Sequence, residues 1–340
     1  MYELLQIIWF ALWGLLWAIY FGLDGFDLGS GMWAGLAKDK KERDAVIASL
    51  APVWDGNEVW VITAGGVTFA AFPKIYAVMF SSLYIPLILI LLGLVLRVVA
   101  IEFYHHQDYS PAWQNFWAKV LGVASLVVAL LFGVAFGNLF EGLPITAEGW
   151  QGNVTLSLLN PYGILIGLLW VCAFLMNGSS WLAHKCPDAD VRAKYMGMAK
   201  KLYPVVLVLA VLALGLAFVM TSLWENYLKI PVLLIVPLAA VVMLLWTGYN
   251  IYKVGNPFKA LWTGSLTVLL AAVWGVGGMF PKMIFSKLDP AIVLDCFNSS
   301  SSQYTLTFML IVVLIFLPFV LLYQGFALKT FGKHHDLTSY

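Results

Sequence analysis

The sequence predicts an all-α, polytopic membrane protein of about nine transmembrane helices, with its N-terminus outside and its C-terminus cytoplasmic. Three observations predict this. Of the 340 residues, 62% are hydrophobic and only 11% charged, with a mean hydropathy of +0.88, whereas soluble domains carry about 25% charged residues. Apolar windows of about 20 residues, long enough to cross the hydrocarbon core, recur nine times. With the N-terminus outside, Lys74, Lys229, Lys282 and Lys287 lie on the outer side and the other 15 of the 19 Lys and Arg on the inner side, as the positive-inside rule asks. The net charge of +1 gives no bulk attraction to nucleic acid, so none is expected as a partner.

The spans are predicted near 8–34, 50–70, 76–98, 117–139, 160–183, 203–223, 231–252, 260–280 and 305–328. The opening stretch MYELLQIIWFALW lacks a basic region and a small-residue cleavage site, so it reads as the start of a retained first helix. Cys172, Cys186 and Cys296 are far apart and form no CxxC; they read as free thiols. Phe72-Pro73-Lys74-Ile75 after the second span matches Phe280-Pro281-Lys282-Met283 after the eighth, a hint of internal duplication.

Two acid pairs carry the chemistry. Asp24 and Asp27 stand in FGLDGFDLGSGM on the first span; Asp55 and Glu58, with Asn57 between, stand in PVWDGNEVWVITAGG on the second. Residues three apart share a helix face. An acid at membrane depth costs roughly 2.5–3.5 kcal/mol on insertion scales and marks a functional site by default. Eleven residues, about 16 Å of helix, separate Asp27 from Lys38 and Asp55 from Asp44. Both pairs are thus expected in the inner half of the membrane, and consecutive spans are usually neighbours. Clustered carboxylates share protons, which suits proton uptake or cation binding. The alternatives are hydration near the inner surface for Asp24 and Asp27, and a packing bond to Asn57 or backbone for the second pair.

Other residues support or bound this site. Trp54 and Trp60 flank the second pair, as packing aromatics. Arg97, at the end of the third span, is either a counter-ion or a snorkelling residue, and Glu102 follows it. Gly25, Gly29, Gly133 and Gly137 provide small-residue faces, for a partner subunit or for packing within the bundle. His105, His106, His184, His334 and His335 all fall in inner loops, at an inner span end or in the tail. With no mid-span histidine for an axial ligand, no haem or metal is expected in this chain.

The ordered motifs DGFDLGSGM at 24–32, PVWDGNEVWVITAGGVTFAAFP at 52–73 and FGVAFGNLFEGLP at 132–144 resemble subunit II of the cytochrome bd-type quinol oxidases. The likeness covers most of the chain and weakens beyond about residue 185. It implies nine helices arranged as two four-helix bundles, here 1–140 and 141–282, with a peripheral ninth helix in 283–340. It implies a multi-pass protein of the bacterial inner membrane that pairs with a haem-bearing subunit I holding two b-type haems, haem d and the quinol site. The complex would oxidise quinol, reduce dioxygen to water and take protons from the cytoplasm. Asp27 and Asp55 match acids implicated in proton delivery, with Asp24 and Glu58 beside them, and Trp60 matches a tryptophan by a proposed oxygen entry. Subunit II carries no haem in this family; a structural quinone occurs in some members, and a small single-helix subunit is a further expected partner besides membrane lipid. Some members have Gln where this chain has Glu58. The residues alone also fit a proton-coupled secondary transporter or a purely structural anchor.

Overall fold

The computed structural model describes residues 1–104, 110–146, 149–150 and 154–331; the expectations on His105, His106, His334 and His335 fall outside these. Among the described residues, eight helices are long and apolar enough to cross a membrane, and a bent pair raises the number to nine. Among the described residues the protein is all-α apart from two small antiparallel hairpins and one isolated bridge, in keeping with the predicted all-α polytopic class.

Helix α1 (Tyr2–Leu36) is the axis of the molecule. It packs against α3 (Trp54–Ala71), α6 (Pro111–Glu141), α8 (Pro161–Lys185) and α12 (Pro257–Met279), and its apolar residues from Leu5 to Met32 run through the main core. Glycine makes this crowding possible. A Cβ on Gly29 would overlap the Phe174 carbonyl of α8, and Gly178 of α8 lies directly against Gly29. Gly25 meets Phe174, while Gly133 and Gly137 of α6 meet Gly167 and Gly163 of α8. All four glycines considered for a partner interface therefore serve packing within the chain: without Cβ atoms, backbones approach to van der Waals contact.

The second and third spans differ from expectation. Predicted span 50–70 starts at Trp54, because α2 (Lys40–Leu50) is a separate helix, capped by the Asp39 side chain at 2.8 Å from the Glu42 N–H and followed by a turn over 51–53. At its far end α3 stops at Ala71, and α4 (Pro73–Ser82) leaves at 119°. Pro73 has no N–H to continue the ladder and disfavours α geometry in the residue before it; Phe72 sits at φ −133°, ψ 65°. Predicted span 76–98 accordingly begins at Tyr84, as α5 (Tyr84–Tyr104).

A short hairpin of β1 (Ile145–Thr146) and β2 (Gly149–Trp150) and a small helix α7 (Val154–Leu158) precede α8. Helix α9 (Ala189–Met220) starts 14 residues before the predicted 203, capped by Asp188. Helix α10 (Leu223–Lys229), a 3₁₀ turn and α11 (Ile235–Tyr249) follow, and a π-turn over Asn250–Val254 leads to Gly255, at φ 64°. Strands β3 (Lys282–Phe285) and β4 (Val293–Asp295) pair after α12, and α13 (Gln303–Phe331) lies at the periphery, largely exposed. The two FPK tetrapeptides adopt different structures: one opens α4, the other opens β3.

Helix α2 is docked by Glu42, which accepts hydrogen bonds from Tyr195 Oη at 2.7 Å, from Lys194 Nζ and from the Lys38 N–H at 3.1 Å. Burial pushes the Glu42 carboxyl up, but these donors outweigh burial and hold it below its ordinary value. The unfolded chain then takes up this proton at higher pH than the folded one. The stabilisation is present above the ordinary glutamate range and is lost as pH falls through the folded value. Limited proteolysis of the 37–53 segment in detergent should accelerate as pH drops from 6 to 3. In Glu42→Gln the segment should be more sensitive at pH 7 and should lose most of that dependence.

Candidate functional site

The site sits where α1, α3, α5 and α13 meet. Asp24 and Asp27 are fully buried on α1, because the axial helix is covered at that level on every side. Arg97 comes from α5 and is only 2% exposed. Its Nη1 stands 3.4 Å from Asp24 Oδ2 and 3.4 Å from Glu58 Oε1 of α3. These distances are longer than a tight charged hydrogen bond, so one guanidinium is shared between two carboxylates. The sequence left two roles open for Arg97, and the structure places it inward as the counter-ion.

Asn57 is also fully buried. Its Nδ2 donates to Asp27 Oδ2 at 2.6 Å, and its Oδ1 accepts from Gln324 Nε2 of α13 at 2.8 Å. Asp24 Oδ1, Asp27 Oδ1 and Arg97 Nε are buried without a partner among the described residues. Tyr20, one turn before Asp24, is fully buried beside it.

The structure thus brings together Asp24, Asp27, Asn57, Glu58 and Arg97, with Trp54 and Asp55 beside Glu58. Asp55 sits at the edge of this cluster. It is exposed, in the first turn of α3. The depth expected for it assumed one straight helix from Asp44, whereas α2 ends and α3 restarts in between. Trp54 is half-buried, and with Asp55 and Glu58 it lines one end of a cavity of about 910 Å³ between α3, α4, α5 and α6, otherwise lined almost wholly by apolar residues. Trp60 is buried in the main core. Glu102 is exposed on α5 and forms no ion pair among the described residues.

Gln324 was missed by sequence reasoning. Its signal was a single amide within the apolar run LLYQGFA of the ninth span. A lone polar side chain there needs a partner just as an acid does.

Among the described residues, no group of three or more His, Cys, Asp and Glu side chains has a metal-holding arrangement. The described histidine, His184, lies at the end of α8 with its ring 4.9 Å from that of Phe258.

Comparison with known proteins gives the chain's relatives. The chain is 33% identical to a probable cytochrome oxidase subunit 2 of Haemophilus influenzae, covering 98% of this chain and 96% of that one. It is 32% identical to the cytochrome bd-I ubiquinol oxidase subunit 2 of Escherichia coli K12, with the same coverage. It is 33% identical to the cytochrome bd ubiquinol oxidase subunit 2 of Bacillus subtilis, covering 97% and 96%. The fold matches a chain in the structure of bd oxidase from Geobacillus thermodenitrificans with a TM-score of 0.77, at 15% identity, over 96% of this chain and 98% of that chain. The family model for cytochrome bd terminal oxidase subunit II matches residues 5–331. The chain that gathers three carboxylates around one arginine inside an apolar bundle therefore belongs to the cytochrome bd terminal oxidase subunit II family.

Proposed function

We propose that this chain is the haem-free half of a quinol:oxygen oxidoreductase of the bacterial cytoplasmic membrane, paired with a haem-bearing subunit I. In this reading it lines a proton path leading from the cytoplasm toward the partner's oxygen-reducing centre. The partner's haems supply the electron transfer and the oxygen chemistry. This chain supplies protonatable groups: Asp55 at the mouth of the path, then Glu58, Asp24 and Asp27 inside it.

The carrying observation is the cluster of Asp24, Asp27, Glu58 and Arg97. With one guanidinium facing three carboxylates inside an apolar bundle, electroneutrality asks the cluster to hold protons, and closely spaced acids exchange them as a group. Exposed Asp55 is placed to collect protons one turn before Glu58. The cavity between α3 and α5 is apolar along most of its length, which suits access by dioxygen, an apolar gas. The names of the relatives support ubiquinol or a related quinol as the reductant. On the same footing we propose the division into a first bundle over 1–140, a second over 141–282 and a peripheral unit over 283–340. A small single-helix subunit would be a further partner.

The test is purification from the native membrane by a tag on this chain. The expected product is a coloured complex with haem absorbance and a second large subunit. A colourless chain that is self-sufficient would sink the proposal and return the transporter alternative to the front.

A further inference from the structure

The described arrangement of Asp27, Asn57 and Gln324 holds more than a packing contact. Asn57 is fully buried between two partners and presents a different end of its amide to each: Nδ2 to Asp27 at 2.6 Å and Oδ1 to Gln324 at 2.8 Å. A side-chain amide has a donor end and an acceptor end, so its orientation is set by what its neighbours need. Here Gln324 donates, which fixes Oδ1 toward α13 and leaves Nδ2 aimed at Asp27. That orientation serves an Asp27 whose Oδ2 accepts, and a donor on Oδ2 favours the ionised form over one protonated there.

A second pattern satisfies the same atoms. If Asp27 carries a proton, its O–H can donate to Asn57 Oδ1 once the amide turns over. Asn57 Nδ2 then donates to Gln324 Oε1, and Gln324 turns as well. The two patterns differ by one proton on Asp27 and by the sense of every hydrogen bond in the chain of three residues. No other bond is made or broken, and the proton comes from the water-accessible path.

We propose that Gln324 is a positioning residue for proton exchange at Asp27: through Asn57 it couples the last helix to the proton occupancy of the buried acid. The inference rests on the reading of Asp27 as a proton-carrying group. Two further observations fit. Gln324 is buried on a helix whose surroundings are otherwise mostly exposed. Its amide also lies over Gly56, where an added Cβ would stand 3.2 Å from Oε1; the glycine leaves room for the amide to sit against α3.

The groups facing Asp27 are limited. Its own helix brings Asp24 and Tyr20, α3 brings Glu58, α5 brings Arg97, and α13 brings Gln324 through Asn57. Near this level α6 and α8 bring the side chains of Ser125 and Phe174 against α1, and α12 brings the Ser265 carbonyl. Asp24, Glu58 and Arg97 form no hydrogen bond with Gln324, so a shift in Asp27 in a variant that adds no charge at 324 reports on the amide chain.

The test is infrared difference spectroscopy of the whole purified complex during a pH titration, following the carboxylic C=O band that disappears in Asp27→Asn. In Gln324→Leu the Asn57 amide is no longer held with its donor toward Asp27, and that band should persist to higher pH by about one unit, a tenfold change in proton affinity. In Gln324→Glu an ionised carboxylate can only accept; it draws Asn57 Nδ2 toward α13, its own charge acts on Asp27 in the same direction, and the band should move further. In the unaltered complex a side-chain amide band should change with the same midpoint. A midpoint that is unchanged in both variants, with normal haem content, overturns the inference. The outcome is separable from that of the proton path: if Asp27→Asn slows oxygen reduction while the Gln324 variants leave the band in place, the path stands and this inference falls. If the band moves while Asp27→Asn turns over normally, the coupling stands and the path falls.

Discussion

Arg97→Met is expected to cost about 3–5 kcal/mol, enough to prevent recovery of an intact complex, because it leaves buried carboxylates without their cation. Methionine keeps most of the length and apolar volume of the arginine stem, so the loss isolates the charge. Asp24 and Glu58 each lose their only cationic neighbour in the bonding described, at 3.4 Å. The alternative reading of Arg97, a chain end reaching for the inner surface, predicts a small effect, since an exposed ion pair contributes only about 0–1 kcal/mol. The measurement is haem content and thermal stability of complex purified from equal amounts of membrane. Adding Asp24→Asn and Glu58→Gln removes the uncompensated charges and should restore assembly though not turnover. If Arg97→Met alone assembles at the normal level, the ion cluster does not hold this region together.

The second large effect concerns turnover. Asp27→Asn keeps the side-chain shape and can still meet Asn57, but it cannot exchange a proton as an acid. It should assemble with normal haem content and slow oxygen reduction by at least tenfold, about 1.4 kcal/mol in barrier. Asp27→Glu should recover part of the rate. Asp55→Asn should cost less, since Asp55 is exposed at the start of α3 and water can replace it as a proton source. Oxygen consumption by purified complex with a soluble quinol distinguishes these. An Asp27→Asn complex with full haem and the unaltered rate would remove Asp27 from the path. If Asp55→Asn were the more damaging of the two, the entry would be narrower than the exposure of Asp55 implies.

The membrane class, the approximate positions of most spans and the family were all determined by the sequence alone. These depend on local quantities. A window of about 20 apolar residues must cross the bilayer wherever it stands, and an acid inside such a window must find a partner whatever surrounds it. That is why Asp24, Asp27, Asn57 and Glu58 were legible as a site. The bend after Ala71 was not read from the sequence: the missing N–H of Pro73 ends a helix locally, but the 119° turn is a matter of how α4 packs.

The tertiary structure decided the rest. Asp55 and Glu58 are three residues apart, yet one is exposed and the other is drawn toward Arg97, because the restart of α3 at Trp54 sets how deep its first turn lies. Arg97 is 39 residues from Glu58 and 73 from Asp24, and Gln324 is 267 from Asn57. No periodicity links residues so far apart. Which face of α5 or α13 turns toward α1 is set by the packing of helices remote in sequence. Local apolarity places a helix in the membrane, but only the closed bundle rotates it, and that rotation makes Arg97 and Gln324 parts of the site.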